Sequence, residues 1–292
     1  MNNFNFNRFS QALKCQFMVT RKSWIRLFGI FTLVLFMANL FWTRVQGFKY
    51  NSMLDGIEAG NWTMDELIRT YNHHVQQTVA FGIIFFCIAM LFFASSLFSQ
   101  MKDTRSRSAY LLWPISHLEK YVISLLLNIV LAAVLTFAAY VLADALRVFV
   151  DWVTGRIVIW GVPKLFEPLG SNAAFDDWQS AWMFITAVFY IHSLYIVGGT
   201  LFRRQQFLMT SAVIAVVVIL LTIILNQISW SGDSVDFITG TWDEKTSTYT
   251  RIFHPAFYIL NTVVTLLIPI HYWASYKLFT RMQVINNKWL NV

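Results

Sequence analysis

Charge is scarce in this chain. Only 13% of its 292 residues are charged, about half the roughly 25% of a soluble domain, which excludes an ordinary water-soluble fold. Cysteine is nearly absent. Cys15 falls in a basic segment and Cys87 in an apolar run, so no disulfide framework is available. Several chemical signatures are missing as well. There is no GxxxxGK[ST] loop to cradle phosphate, no HExxH pair for zinc and no GxSxG turn to present a serine. His73-His74 has no carboxylate at a matching spacing. There is no internal repeat and no low-complexity tract. No inverted pair of broken helices marks a secondary transporter.

Hydrocarbon is what the chain has in quantity: 57% of residues are hydrophobic and 17% aromatic. Apolar runs cover Leu27–Trp42, Val79–Phe98, Tyr121–Ala143, Ala181–Phe202, Phe207–Leu225 and Ala256–Phe279. Each approaches or exceeds the ~20 residues needed to cross ~30 Å of hydrocarbon. They hold almost no charge, as expected where a mid-bilayer charge costs about 2.5 kcal/mol or more. The runs are continuous rather than alternating, so helices, not a barrel, must satisfy the backbone. The expected fold is all-α and polytopic, one transmembrane domain over residues 1–292. Six spans are expected near residues 24–43, 79–98, 120–146, 180–202, 207–226 and 256–279.

The few charges are sorted by sign. Arg8, Lys14, Arg21, Lys22 and Arg26 precede the first run, with no acid among them. Lys102, Arg105, Arg107 and Lys120 lie between runs two and three, against Asp103 and Glu119, Arg203 and Arg204 between four and five, and Lys277, Arg281 and Lys288 at the end. Acids fill the alternate connections: Asp55, Glu58, Asp65 and Glu66; then Asp144, Asp151, Glu167, Asp176 and Asp177; then Asp233, Asp236, Asp243 and Glu244. The positive-inside rule puts the basic side in the cytoplasm, with both termini inside. The net charge of +7 then reflects topology rather than nucleic-acid binding, because no basic cluster sits on a soluble domain. The lipid bilayer is the expected environment.

Residues 1–23 read as an amphipathic cytoplasmic segment. Phe6, Phe9, Leu13 and Phe17 follow helical spacing, with Arg8, Gln11, Lys14 and Arg21 off that stripe, which suits a helix lying in the inner interface. This segment and its depth in the chain do not fit a cleaved signal peptide. On the other side, Thr63 and Glu66 form a capping-box pattern. Trp152, Trp160 and Trp178 suit the outer interface. Residues 226–255 mix turn residues with a Thr-rich alternating run and suit a small hairpin.

The sizeable cytoplasmic connection is Ser99–Lys120. It reads SQMKDTRSRSAYLLWPISHLEK. A basic half is followed by an apolar patch, Tyr110 to Trp113. Pro114 then stops any entering helix. Ser116 caps the next helix, with Glu119 at the capping-box position. This stretch resembles the corresponding region of permease subunits of ABC-2 type ABC transporters. The resemblance rests on Arg105, Arg107, Leu111, Leu112, Pro114, Ser116, Glu119 and Lys120, and on the six-span plan. It implies an ATPase-coupling loop formed by Lys102, Arg105, Arg107, Pro114, Ser116, Glu119 and Lys120. It also implies a separate ATP-hydrolysing ABC subunit, a second permease subunit, a bacterial inner membrane and an export function. Residues 226–255 depart from the family, which often has two short helices there.

Asn39, Asn128, His192, Asn261 and His271 are polar groups within the apolar runs. Intramembrane polar groups either bond neighbouring helices, at about 0.6 kcal/mol each, or line a path. Asn128, His192, Asn261 and His271 are the pathway candidates. Pro269 removes a backbone donor beside His271 and predicts a kink. No catalytic constellation emerges, so no enzymatic activity, metal or cofactor is expected. The rival reading is a non-transporting membrane scaffold or sensor whose outer loops bind an envelope partner. A weaker third is an intramembrane enzyme using His192 or His271.

Overall fold

The computed structural model describes residues 4–45, 49–98, 101, 108–110, 112–166, 178–202, 205–230, 237–243 and 248–281. Among the described residues helix dominates, and six helical segments are long and apolar enough to cross a membrane: Phe6–Arg44, Met64–Ser95, His117–Val153, Trp178–Leu201, Gln206–Ile224 and Pro255–Thr280. The chain divides into two compact units. One comprises Asn5–Met90 and Leu125–Leu169. The other comprises Met1–Phe4, Leu91–Ser124 and Gly170–Val292.

In the first unit, α1 runs over Phe6–Leu40 and continues as a π turn, Phe41–Val45. The side chain of Asn5 caps its start, accepting from the amides of Asn7 and Arg8 at 3.0 and 3.2 Å. At ~1.5 Å per residue a helix of 35 residues is about 52 Å long, well beyond the ~30 Å of hydrocarbon. The amphipathic segment and the first span are thus one continuous helix. After α2 (Lys49–Glu58), α3 (Met64–Ser95) opens with the expected capping box. The Thr63 amide donates to Glu66 Oε2 at 2.8 Å, and the Glu66 amide to Thr63 Oγ1 at 3.3 Å. The third span begins in the second unit as α4 (His117–Leu125) and enters the first as a π stretch (Leu126–Leu131) followed by α5 (Ala132–Val153).

Two apolar clusters hold this unit together. Leu35 of α1 packs with Ala139, Tyr140 and Ala143 of α5. Tyr50 and Met53 of α2 pack on Leu67, Tyr71 and Val75 of α3. The contacts also fix directions. Leu35 lies at the level of Ala139, and Arg44 reaches Asp151, so α1 and α5 run parallel. Tyr71 also meets Asp151, while Gly82 meets Tyr140, so α3 runs antiparallel to both. A Cβ on Gly82 would come within 2.4 Å of the Tyr140 ring. Glycine is what lets α3 and α5 approach so closely.

In the second unit, α6 (Trp178–Leu201), α7 (Gln206–Trp230) and α8 (Pro255–Thr280) follow one another, with a hairpin between the last two. Tyr195 and Ser211 share a hydroxyl bond of 2.7 Å across the antiparallel pair α6 and α7. In their tight turn Gln205 adopts φ 49°, and Gln206 Nε2 donates to Gly199 O at 2.8 Å. A Cβ on Gly199 would meet the backbone carbonyl oxygen of Ser95 at 2.4 Å. Strands β1 (Ile238–Asp243) and β2 (Thr248–Phe253) pair antiparallel, from Ile238↔Phe253 to Asp243↔Thr248. The alternating run thus does form a hairpin, a strand element added to an otherwise helical chain. Pro269 lies inside α8, which stays helical across it.

Candidate functional site

The described residues of the connection from α3 to α4 pack inside the second unit. Phe98, Met101 and Tyr110 are buried. The Phe98 ring stacks on Phe279 of α8 at 4.6 Å and 6°. Phe279 in turn contacts Tyr121 at 6.2 Å and Tyr110 at 6.5 Å. Tyr110 Oη donates to Lys120 O at 3.2 Å and shares a hydroxyl bond of 2.9 Å with Ser124. Burial pushes the Tyr110 phenol up to about 12, opposed by its bond to Ser124. The Ser116–Glu119 capping box forms as expected: Ser116 N donates to Glu119 Oε2 at 2.8 Å, and Glu119 N to Ser116 Oγ at 3.2 Å. Glu119 and Lys120 are buried, and Lys120 Nζ lies 5.9 Å from the Tyr110 ring centroid. Pro114 and Leu112 are exposed. Lys102, Arg105, Arg107 and Leu111 lie outside the described residues.

Three of the four pathway candidates gather on one seam, where α6 and α8 run side by side in the same direction. Thr186 and Thr265 hydroxyls meet at 3.1 Å, His192 Nδ1 and Tyr272 Oη at 3.0 Å, and Ser193 Oγ and His271 Nδ1 at 2.9 Å. Tyr121 Oη donates to Tyr272 O at 3.1 Å, tying the start of the third span to the same seam. Asn261 is buried on α8. Its Nδ2, like His192 Nε2, has no hydrogen-bond partner among the described residues. The seam bonds helix to helix and also holds polar atoms inside an apolar layer, where water is the expected partner for any left over. Asn128 lies in the π stretch of the other unit.

The densest polar cluster was not among the candidates read from the sequence. Asp144, Arg147 and Asp151 line one face of α5, and all three side chains are wholly buried. Arg147 Nη2 and Nε donate to Asp144 Oδ1 at 2.7 and 3.0 Å, and Nη1 donates to Asp151 Oδ2 at 2.9 Å. Nη2 also reaches Ile159 O at 2.7 Å. Asp144 Oδ2 accepts the amides of Gly161 and Val162 at 2.8 and 3.0 Å. Asp151 takes Arg44 Nη2 at 3.0 Å on Oδ1 and the Tyr71 hydroxyl on Oδ2. Arg156 stacks 4.9 Å over the Tyr50 ring and donates to Thr43 O at 3.3 Å. Burial, then the neighbouring Arg44 charge, pulls the Arg156 guanidinium below its usual value. The cluster thus ties α1, α3 and α5 to the segment after α5. Its signal was present in the sequence: acid, base and acid at i, i+3 and i+7 share one helix face. Asp144 stands at the outer end of the third expected span, 120–146, while Arg147 and Asp151 fall past it, so the shared face shows only because α5 runs on to Val153.

No group of three or more His, Cys, Asp or Glu side chains with metal-binding geometry occurs among the described residues. No family model, curated protein or solved structure matches the chain.

Proposed function

We propose that the chain is the membrane-spanning permease subunit of an ABC-type exporter in a bacterial inner membrane. Both termini face the cytoplasm, a separate subunit hydrolyses ATP, and a second permease subunit completes the pathway. The observation that carries the reading is the seating of the described residues at the two ends of the 99–120 connection. A loop that receives force from an ATPase must pass it to the spans. Here Phe98 and Tyr110 lock the connection onto Tyr121 and Phe279, and the capping box fixes the start of α4. The absence of a phosphate loop from the sequence fits an ATPase supplied in trans. The seam with His192, Asn261 and His271 is the candidate path lining. Isolation of the tagged chain from its native membrane tests the proposal. A Walker-motif ATPase should come with it, and Glu119→Ala should lower export without loss of the folded protein. A chain that recovers no ATPase would sink the reading.

The scaffold or sensor alternative draws on the β1–β2 hairpin, a built element where the ABC-2 family often has helices. It predicts that deletion of residues 226–255 abolishes function while changes in 99–120 do little.

A further inference from the structure

One side of α1 carries cations with no acidic partner among the described residues. At 3.6 residues per turn, Arg21, Lys22, Ile25, Arg26, Gly29 and Leu33 share that side. Buried Phe9, Gln16 and Trp24 mark the opposite one. Arg21, Lys22 and Arg26 are exposed. Arg26 lies back along the helix, its Nε donating to Lys22 O at 3.3 Å and its Nη2 to Ser23 Oγ at 3.4 Å. Its charge therefore stays beside Lys22. The rest of that side is apolar and open. Ile25 is 67% and Leu33 60% exposed, and a Cβ on Gly29 would meet nothing within 4 Å.

No acid competes for these cations. None precedes Asp55 in the chain. The described acids of the first unit sit toward the other end of α1. Asp151 takes Arg44. Asp65 and Glu66 open α3 ahead of Tyr71, which meets Asp151. Asp55 and Glu58 belong to α2, whose Tyr50 and Met53 pack on Tyr71. Asp144 is the nearest along the axis. With Leu35 beside Ala139, it lies level with Leu40, about 21 Å from Arg26. That is more than twice the ~8 Å over which charges act in physiological salt. Glu167 lies outside the described residues. Of the two acids that the sequence puts on the basic side of the membrane, Glu119 is buried in its capping box. Asp103 lies outside the described residues, next to Lys102 in the sequence.

The depth of the three cations suits a phosphate. The first apolar run begins at Leu27, and Arg26, Lys22 and Arg21 precede it by about 2, 8 and 9 Å along the helix. The polar layer on each side of the hydrocarbon is about 5–7 Å deep, and long Lys and Arg stems reach across the difference. A soluble polyanion would leave Ile25 and Leu33 in water. A phospholipid covers both parts of the face, its acyl chain along Ile25, Gly29 and Leu33 and its phosphate among the cations.

We propose that this side of α1 binds an anionic phospholipid of the leaflet at its end, the inner one in the orientation proposed above. The site does not depend on the permease reading. The test uses the full chain in phosphatidylcholine nanodiscs, with Cys15→Ser and Cys87→Ser, and a fluorophore on Gly29→Cys. Lipids with a nitroxide on the acyl chain quench it on contact. Nitroxide phosphatidylglycerol should quench at about five-fold lower mole fraction than nitroxide phosphatidylcholine, the effect of one basic side chain at an anionic surface. The preference should vanish in 1 M salt, where charges act over only ~3 Å. It should also vanish in the triple variant Arg21→Gln, Lys22→Gln, Arg26→Gln. Arg69→Gln, an exposed cation near the start of α3, should keep it. Equal quenching by the two lipids at low salt, which leaves the face to a protein partner, would overturn the proposal. So would a preference intact in the triple variant.

Discussion

Removing Arg147 should be the most damaging single change in the first unit. The guanidinium is wholly buried and serves both Asp144 and Asp151. Arg147→Met keeps most of the volume but leaves two buried carboxylates without their shared cation. Breaking a buried pair in this way costs about 3–5 kcal/mol, because the partner charge stays behind. Arg44→Met should cost much less. Its side chain is partly exposed, and Asp151 keeps Arg147 and Tyr71, so the loss should stay near the ~1 kcal/mol or less of solvent-exposed pairs. The triple variant Asp144→Asn, Arg147→Met, Asp151→Asn supplies the decisive comparison. It removes all three charges, and the two asparagines keep an oxygen to accept from Gly161, Val162 and Tyr71. It should be more stable than Arg147→Met alone, since a buried ionic network replaced as a whole is often nearly neutral. Reversible unfolding in mixed micelles, followed by far-UV circular dichroism, gives the three values. Arg147→Met and Arg44→Met losing the same stability would refute the burial argument. A triple variant no better than the single one would refute the charge argument.

Three further outcomes follow from other contacts. Ser116→Ala removes a helix cap and should cost about 1 kcal/mol, read as earlier amide exchange in the first turn of α4 with the rest of the unit unchanged. Gly199→Ala drives a methyl into the Ser95 backbone and should cost about 1–3 kcal/mol, whereas Gly29→Ala, with open space around its Cβ position, should be neutral or slightly stabilising. A thermal melt of each variant separates the two. The raised phenol of Tyr110 stabilises the fold fully below its ordinary value of 10 and loses that contribution as pH climbs through about 12. The stability advantage of the native chain over Tyr110→Phe should therefore shrink between pH 10 and 12, and a constant difference would show that the phenol is not buried as described.

The spans were the most legible part of this protein. Twenty uncharged residues in a row leave the backbone few choices, and their count follows from composition alone. The caps at Thr63 and Ser116 were also legible, because a capping box is a local contract between residues three apart. Helix ends were harder. The capping box at Thr63 marks a helix start, but hydropathy alone leaves residues 64–78 and 147–153 outside the expected spans, and both stretches are helical. There the helix is held by contacts that hydropathy does not count: Tyr71, Arg147 and Asp151 satisfy one another across α3 and α5.

The same limit explains which site residues were found. His192, Asn261 and His271 stand out in the sequence because each interrupts an apolar run. That signal reports the cost of a lone polar group, and it led to a seam where each lies near others. The Asp144–Arg147–Asp151 cluster gave no such signal, because its charges neutralise one another and sit where an apolar run fades into a loop. A charge at the end of a run is ambiguous by itself: it marks either exit from the membrane or a buried partner beyond it. Helical phase resolves the ambiguity. Charges that exit are free to scatter around the helix, while Asp144, Arg147 and Asp151 return to one face at i, i+3 and i+7. Charges of alternating sign repeating on one face past the end of a span therefore argue that the helix continues and that the face is covered. Applied to Asp144, Arg147 and Asp151, that rule extends the third span to Asp151 and beyond, as α5 does in running to Val153.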